Sequence, residues 1–168
     1  MRGIGAALAG PSGLRKSLCA ACAGVACVYA APAQAACSVE ATPIAFGAYN
    51  GVTKAEVRTI ATVTVRCTDL IVLTNYTISL SPGQSGTATN RYVSSGADRL
   101  DYQVFADAAR TQILGDGSPG TVSRSGSVAA IIGLGSSSSS IQIYPSIRGG
   151  QSPSPGVYTD TLTVTVSY

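Results

Sequence analysis

The last twelve residues constrain this chain most, because they alternate strictly between two kinds of side chain. From Val157 the sequence reads VYTDTLTVTVSY, with Leu162, Val164, Val166 and Tyr168 in one phase and mainly threonine in the other. Period-2 alternation of β-branched and aromatic residues is typical of a β-strand with one buried and one wet face. An apolar strand of this kind normally lies between two neighbours, and no residue follows it in this sequence. We therefore expect an earlier strand or another polypeptide to cover it.

The first 35 residues have the composition of a cleaved signal peptide. Basic residues precede an apolar run over residues 18–31, and residues 33–35 read Ala-Gln-Ala, the small–x–small pattern of a cleavage site. The apolar run is too short for a comfortable membrane span. We therefore expect a signal peptide over residues 1–35 and one mature domain over residues 36–168.

Removal of this segment changes the charge of the protein. The sequence has 11 basic and 8 acidic residues, and Arg2, Arg15 and Lys16 leave with the signal peptide, so 11 − 3 = 8 basic residues remain against 8 acidic ones. No cluster of lysine or arginine survives, and nucleic acid is not an expected partner. The remaining chain of about 133 residues (168 − 35) is long enough to bury one core.

Two of the five cysteines lie outside the signal segment, at Cys37 and Cys67. An even pair in an oxidising compartment predicts a disulfide. The competing interpretation is lipidation of Cys37, although residues 34–36 read Gln-Ala-Ala and lack the aliphatic residue expected before a lipidated cysteine.

Short alternating segments separated by turn residues continue through the mature chain. We predict strands in the stretch that follows Cys37, over Val57–Cys67, from Tyr76, from Arg99, around Thr121–Ser123, over Ala129–Leu134, over Ile141–Tyr144 and in the terminal segment. The serine run over 136–140 is predicted as irregular, and Pro145 as the end of the strand before it. Six to nine short strands with turns about every ten residues predict an all-β protein, a β-sandwich.

The sequence offers no catalytic constellation. It contains no histidine, which removes Ser-His-Asp and Cys-His mechanisms and the usual zinc sites. The four carboxylates Asp98, Asp101, Asp107 and Asp116 fall on separate strands and turns, where solubility is a simpler role than the paired acid and base of a glycosidase. We expect no enzyme activity, no metal and no cofactor.

Five segments of the mature chain carry a resemblance to a known family. They are CSVEATPIAFGAYN at 37–50, TVTVRC at 62–67, YTISLSPG at 76–83, LDYQVFADAARTQILGDGSPGT at 100–121 and GVYTDTLTVTVSY at 156–168. On these residues the chain resembles the spore coat protein U domain family, the secreted pilin-like subunits of archaic chaperone–usher pili. The segment over 143–147, IYPSI, departs from the family's usual glycine and arginine there.

The resemblance implies an immunoglobulin-like β-sandwich that lacks its last strand. It also implies partners: a periplasmic chaperone and then a neighbouring pilin subunit would fill the resulting groove, with an outer-membrane usher assembling the pilus on the cell surface. Adhesion and biofilm formation are the roles that such pili imply. The expected strand-acceptor groove has Leu162, Val164, Val166 and Tyr168 on one wall, with Ile44 and Phe46 opposite.

One departure from the family bears on the role of the subunit. Polymerising subunits carry an alternating apolar donor strand ahead of the first cysteine, and cleavage after Ala35 leaves only Ala36 before Cys37. We therefore expect a subunit that accepts a strand without giving one, at a pilus tip or as a minor component. The alternative is a stand-alone secreted module that binds a surface or a carbohydrate, with Tyr49, Tyr92 and Tyr144 lining a shallow site.

Overall fold

Most of the alternating segments form β-strands. A computed structural model of the protein describes residues 36–68, 73–129 and 135–168. The strands in these ranges are β1 (Ala36–Ala41), β2 (Val57–Arg58), β3 (Ala61–Thr68), β4 (Thr74–Leu80), β5 (Tyr92–Ser95), β6 (Asp98–Phe105), β7 (Arg124–Val128), β8 (Ser136–Ile147) and β9 (Val164–Ser167), with one 3-10 turn at Gly83–Ser85. The predicted signal peptide and all but the first residue of the predicted strand over 129–134 lie outside these ranges. No helix in the described ranges is long and apolar enough to cross a membrane.

The strands form two antiparallel sheets. The larger sheet has the order β1-β3-β8-β6-β5, and β2 pairs with the end of β8. The smaller sheet has the order β7-β4-β9. Two antiparallel sheets that enclose one core form a sandwich. The predicted all-β, immunoglobulin-like architecture is confirmed.

The core lies between the sheets and is built from the inward residues of the alternating strands. Its most deeply buried members are Val63, Val65, Ile78, Val104, Leu114 and Val128. One polar contact also crosses the core, because the Tyr76 hydroxyl of β4 lies 2.9 Å from Ser139 Oγ of β8 and donates to it. In both sheets the apolar side chains of the alternating strands face the space between the sheets, so the two sheets share one apolar interior.

A disulfide joins Cys37 and Cys67, which are directly opposite each other in the β1–β3 ladder. Cys67 is buried at the inward face of β3, as its phase in the sequence predicts. β1 lies at the edge of the larger sheet, and the disulfide fixes the start of β1 to β3. Closing a loop of 30 residues stabilises the fold by roughly 3–4 kcal/mol in the chain-entropy description.

The serine run is a strand, and the prediction of an irregular segment there was wrong. Residues 136–140 pair with β3 over the register Thr68↔Ser136 to Thr64↔Ser140. The outward hydroxyls face water or each other, as at Thr64 and Ser140, whose side-chain oxygens are 3.0 Å apart. Serine has weak intrinsic β-propensity, but pairing along a whole neighbouring strand overrides it.

Three predicted strands have different bounds in the structure. The segment Val57–Cys67 divides into β2 and β3, because its ladder with β8 is interrupted at residues 59–60. β8 continues through Pro145 to Ile147, where Thr59 N–H donates to the Pro145 carbonyl (3.0 Å). The strand expected around 121–123 begins at Arg124 instead, and Val122 forms only an isolated bridge with Leu114.

Candidate functional site

A cavity of about 1000 Å³ opens between the two sheets beside β9. Its floor is formed by core residues of four strands: Leu80 of β4, Val93 of β5, Leu100 and Tyr102 of β6, and Ile143 and Ile147 of β8. Two irregular segments form its walls, one over residues 41–51 and one over residues 153–164. We call this cavity with its walls the groove. It is large enough for several side chains, and its floor is apolar.

β9 forms one rim of the groove and is bonded along only one edge. It pairs with β4, with Leu80 opposite Val164 and Ile78 opposite Val166. On its other side, no strand among the described residues pairs with it. The smaller sheet therefore ends at an unpaired strand edge directly over an apolar cavity.

The register shows which backbone groups of β9 face the open edge. Ser81 N–H donates to the Thr163 carbonyl (2.9 Å), whereas Leu80 N–H turns the other way and donates to the Gly115 carbonyl (3.0 Å). In an antiparallel ladder the bonded pairs recur every two residues, so Thr165 and Ser167 also direct their backbone groups to β4. The N–H and C=O groups of the intervening Val164 and Val166 consequently point to the open edge.

The facing wall is an irregular segment held mainly by its ends and two side chains. Thr42 N–H donates to the Thr62 carbonyl (2.9 Å), and the Tyr49 hydroxyl accepts from Gln151 N–H (2.9 Å). Between them Ile44 and Phe46 are half-buried against the core. Residues 43–48 make no backbone–backbone hydrogen bond to the part of the chain that the structure describes. This wall therefore also carries unpaired backbone groups.

A polar cluster closes one end of the groove around Asp160. The Tyr102 hydroxyl donates to Asp160 Oδ2 (2.6 Å), and the backbone N–H groups of Gln84 and Thr161 donate to Oδ1 (2.9 and 2.8 Å). Burial, together with the hydrogen bond to Asp160, raises the pKa of Tyr102 well above its ordinary value, so this hydroxyl stays a donor. Gly83 has φ +68, and any side chain there would collide with the Asp160 carboxylate.

Arg91 lies behind this cluster and is 1% exposed. Its Nε and one terminal nitrogen donate to the Ser81 carbonyl (3.1 and 2.7 Å), and the other terminal nitrogen donates to Gln103 Oε1 (2.9 Å). Burial lowers the pKa of the guanidinium, while Tyr102 and Asp160 act in the opposite direction. An arginine remains protonated in a folded protein. Arg91 is therefore a buried cation that binds the Ser81 carbonyl just after β4. Ser81 in turn donates its N–H to Thr163, in the segment that leads into β9.

The six side chains predicted for the groove fall into two groups. Ile44, Phe46, Leu162 and Val164 line it, with the first two on the wall over 41–51 and the last two on the β9 side. Val166 and Tyr168 lie outside its lining: Val166 is half-buried against the core farther along β9, and Tyr168 is 67% exposed. β9 ends at Ser167, so Tyr168 is beyond the ladder that turns its neighbours inward.

The terminal segment is a shorter strand than its alternation predicts. Only residues 164–167 belong to the smaller sheet, whereas Thr159 exchanges two backbone hydrogen bonds with Ser94 of the larger one (3.0 and 3.1 Å). The segment therefore crosses from one sheet to the other. Its alternation is nevertheless preserved, since residues 158, 160, 162, 164 and 166 are half-buried and those between them are exposed.

This phase contains the residue that sequence reasoning missed. Asp160 is in register with Leu162 and Val164, so it faces the groove although it is charged. A single carboxylate within an apolar phase indicates a polar contact on the inner face, and this signal was available in the sequence. Its partner Tyr102 lies on β6 and is buried.

The three tyrosines of the alternative interpretation occupy three different surroundings. The Tyr49 hydroxyl bonds to the loop at Gln151, Tyr92 lies under the Arg99 guanidinium (4.3 Å to the ring centre), and Tyr144 lies near Arg110 (5.9 Å). No described contact joins one tyrosine to another. The structure thus does not bring them into one shallow site.

Three of the four carboxylates considered for catalysis form contacts at separate places in the structure. Asp107 accepts from the backbone N–H groups of Thr111 and Gln112, and Asp116 accepts from that of Ser118. Asp101 forms an exposed ion pair with Arg148 (3.3 Å). Within the described ranges, no group of three or more metal-ligating side chains is found.

The fold and the groove define a β-sandwich domain with an open strand edge, and comparison with known proteins identifies its family. The sequence model of the Spore Coat Protein U domain matches residues 23–165, and the chain belongs to this family. Comparison with curated proteins gives no match.

One similar solved structure is the crystal structure of the CsuC–CsuE chaperone–tip adhesion subunit pre-assembly complex from the archaic chaperone–usher Csu pili of Acinetobacter baumannii. A chain of that complex is 21% identical, with a TM-score of 0.55, and the match covers 80% of this chain and 40% of the other. This chain thus spans less than half the length of its structural neighbour, and the similarity shows the fold.

Proposed function

We propose that this protein is a structural subunit of a surface pilus, assembled by donor-strand complementation through a periplasmic chaperone and an outer-membrane usher. The observation that carries the proposal is the open edge of β9 above the apolar groove. Membership of the Spore Coat Protein U domain family supports the same conclusion. The oxidised Cys37–Cys67 pair fits a route through the periplasm to the cell surface.

The physical basis is that an added strand would satisfy three deficits at once. It would bond to the open N–H and C=O groups of Val164 and Val166, and to the unpaired backbone over 43–48 on the facing wall. Its alternate side chains would enter the groove between Leu162 and Phe46. An uncovered strand edge beside an apolar cavity is otherwise a site of aggregation.

The test is co-expression in the periplasm with a candidate chaperone from the same organism. We expect a stable one-to-one complex, recovered by affinity purification through a tag on the chaperone and sized by chromatography. A chain that is equally soluble, monomeric and cooperatively folded with no chaperone present would show that the sandwich is complete by itself. The proposed assembly mechanism would then be wrong.

We further propose a position at a pilus tip or as a minor subunit, with a role in adhesion and biofilm formation. β1 begins at Ala36, and Cys37 already lies in its ladder with β3. Residues from 36 onward are therefore committed to the subunit's own sheet. With cleavage after residue 35, no free segment is left to act as a donor strand for a neighbour.

This position predicts the N-terminus of the secreted protein. Intact-mass analysis of the protein purified from the periplasm should give a chain that starts at Ala36. A mature chain starting ten or more residues earlier would carry a potential donor segment and would contradict the tip assignment. The acceptor role of the groove does not depend on this outcome, since it rests on β9.

A further inference from the structure

An alternating apolar donor strand leaves its own register undecided. Because side chains repeat with period 2, a slip by two residues returns apolar side chains to the groove and restores every backbone hydrogen bond. The apolar floor formed by Leu80, Val93 and Ile143 therefore does not distinguish one register from the next. A polar group at a fixed point of the groove would distinguish them, as single buried polar residues do in coiled coils.

Among the described residues that line the groove, Asp160 is the one that is charged. It is half-buried and lies in the same inward phase as Leu162 and Val164. It takes part in neither of the two ion pairs found in the described part of the chain. The groove thus presents one carboxylate in an otherwise uncharged lining.

The carboxylate is held in place and retains capacity to accept. Oδ1 accepts two backbone N–H groups, from Gln84 and Thr161, whereas Oδ2 accepts one bond, from Tyr102. Since each carboxylate oxygen offers about two acceptor sites, Oδ2 can take a further donor from the groove side. The buried guanidinium of Arg91 interacts electrostatically with Asp160, but its hydrogen bonds go to Ser81, Leu80 and Gln103.

We infer that Asp160 sets the register and the specificity of the inserted strand. It selects a strand in which a lysine or arginine lies two positions beyond the apolar residue that packs beside Leu162. This inference rests on the proposed strand-acceptor function and adds the chemistry of the partner. A cation at that position meets the free side of the carboxylate in a partly desolvated groove, where opposite charges attract more strongly than in water. A glutamate at the same position meets a like charge and disfavours the register.

The experiment uses competitive capture during refolding. The oxidised full mature chain is refolded with equal amounts of two synthetic peptides that share one alternating apolar sequence and differ in a single residue, lysine or glutamate, and in their fluorophore. The variable residue is placed beyond the N-terminal apolar anchor in one peptide pair and beyond the C-terminal anchor in a second pair, since the strand can run in either direction. Chromatography then gives the ratio of bound peptides.

In one of the two pairs, we expect the lysine peptide to be captured about tenfold more than the glutamate peptide at low salt. Asp160→Asn should reduce this ratio to below about twofold with similar total capture, because the amide oxygen of asparagine can still accept the two backbone N–H groups. The matched control Asp101→Asn removes an equal charge outside the groove lining and should keep the wild-type ratio. About 1 M salt should lower the preference of the wild type, although less than it would for a fully exposed pair.

Two outcomes would overturn the inference: equal capture of both peptides by the wild type in both pairs, or an unchanged ratio in Asp160→Asn. Should Asp160→Asn fail to fold, Tyr102→Phe provides a second variant, since it frees Oδ2 and should retain or increase the lysine preference. Equal capture of both peptides refutes the register role and leaves the acceptor function standing. Capture of neither peptide under any condition refutes the acceptor function and the inference with it.

Discussion

Val164→Asp is expected to abolish binding of a chaperone or donor strand, with a loss of affinity of about 100-fold or more. Val164 lines the groove and lies opposite Leu80 in the ladder, and its backbone groups face the open edge. A carboxylate there would be covered by the incoming strand without a partner, and burial of an unpaired charge is unfavourable by several kcal/mol. The measurement is the yield of the one-to-one chaperone complex relative to wild type.

Thr165→Asp is the matched control for this variant. Thr165 is the next residue of β9 and is exposed on the outer face of the smaller sheet. The same charge introduced there should change the yield by no more than about twofold, because exposed substitutions have small effects. Equal loss in both variants would indicate that β9 itself is disrupted, and retention of the complex by Val164→Asp would place the binding surface elsewhere.

Arg91→Met is expected to lower the free energy of unfolding by about 3 kcal/mol, the second large effect. Methionine fills a similar volume, but it leaves the Leu80 and Ser81 carbonyls without their buried donor, whereas Gln103 Oε1 keeps the bond from Val104 N–H. Each unsatisfied buried group costs about 1–3 kcal/mol. Urea unfolding of the purified oxidised protein, followed by tyrosine fluorescence, measures the change.

Arg99→Met provides the comparison, since Arg99 is exposed and contacts only the face of Tyr92 in the described structure. Its loss should lower the free energy of unfolding by no more than about 1 kcal/mol. A similar small effect for Arg91→Met would mean that its carbonyl partners find other donors. The end of β4 would then not depend on the buried guanidinium.

The strands that could be predicted are those whose period-2 pattern coincides with burial. β3, β4 and β6 place the residues Val63, Ile78 and Val104 inward in the phase that their sequence shows. The disulfide could also be predicted, because only two cysteines lie outside the signal segment, and the inward phase of Cys67 on β3 agrees with it. In these strands the packing of the core and the pattern of the sequence depend on the same alternation.

The features that could not be predicted depend on contacts distant in the sequence. Ser136–Ser140 forms a strand only because β3 offers it a complete ladder, which serine's own preference does not indicate. The terminal segment divides between two sheets, because Thr159 is hydrogen-bonded to Ser94 of the larger sheet whereas Val164 pairs with β4 of the smaller one. Neither Ser94 nor the partners of Arg91 can be identified from local periodicity.

The groove itself was predictable in part. The resemblance to the family predicts six apolar side chains for it. The structure places four of them, Ile44, Phe46, Leu162 and Val164, in the lining of one cavity. Tyr168 has the same phase, but phase does not indicate where a ladder stops. Asp160 lies in the same phase, and a charged residue within that apolar pattern is a signal that predicts a polar contact in the groove.

Amide hydrogen exchange along β9 tests the central claim most directly. In the unbound protein the amides of Thr165 and Ser167 should be protected by β4, whereas those of Val164 and Val166 should exchange rapidly at the open edge. In the chaperone complex all four should be protected, because the added strand bonds to the second set. Protection of Val164 and Val166 in the unbound protein, or their continued rapid exchange in the complex, would contradict an acceptor edge at β9.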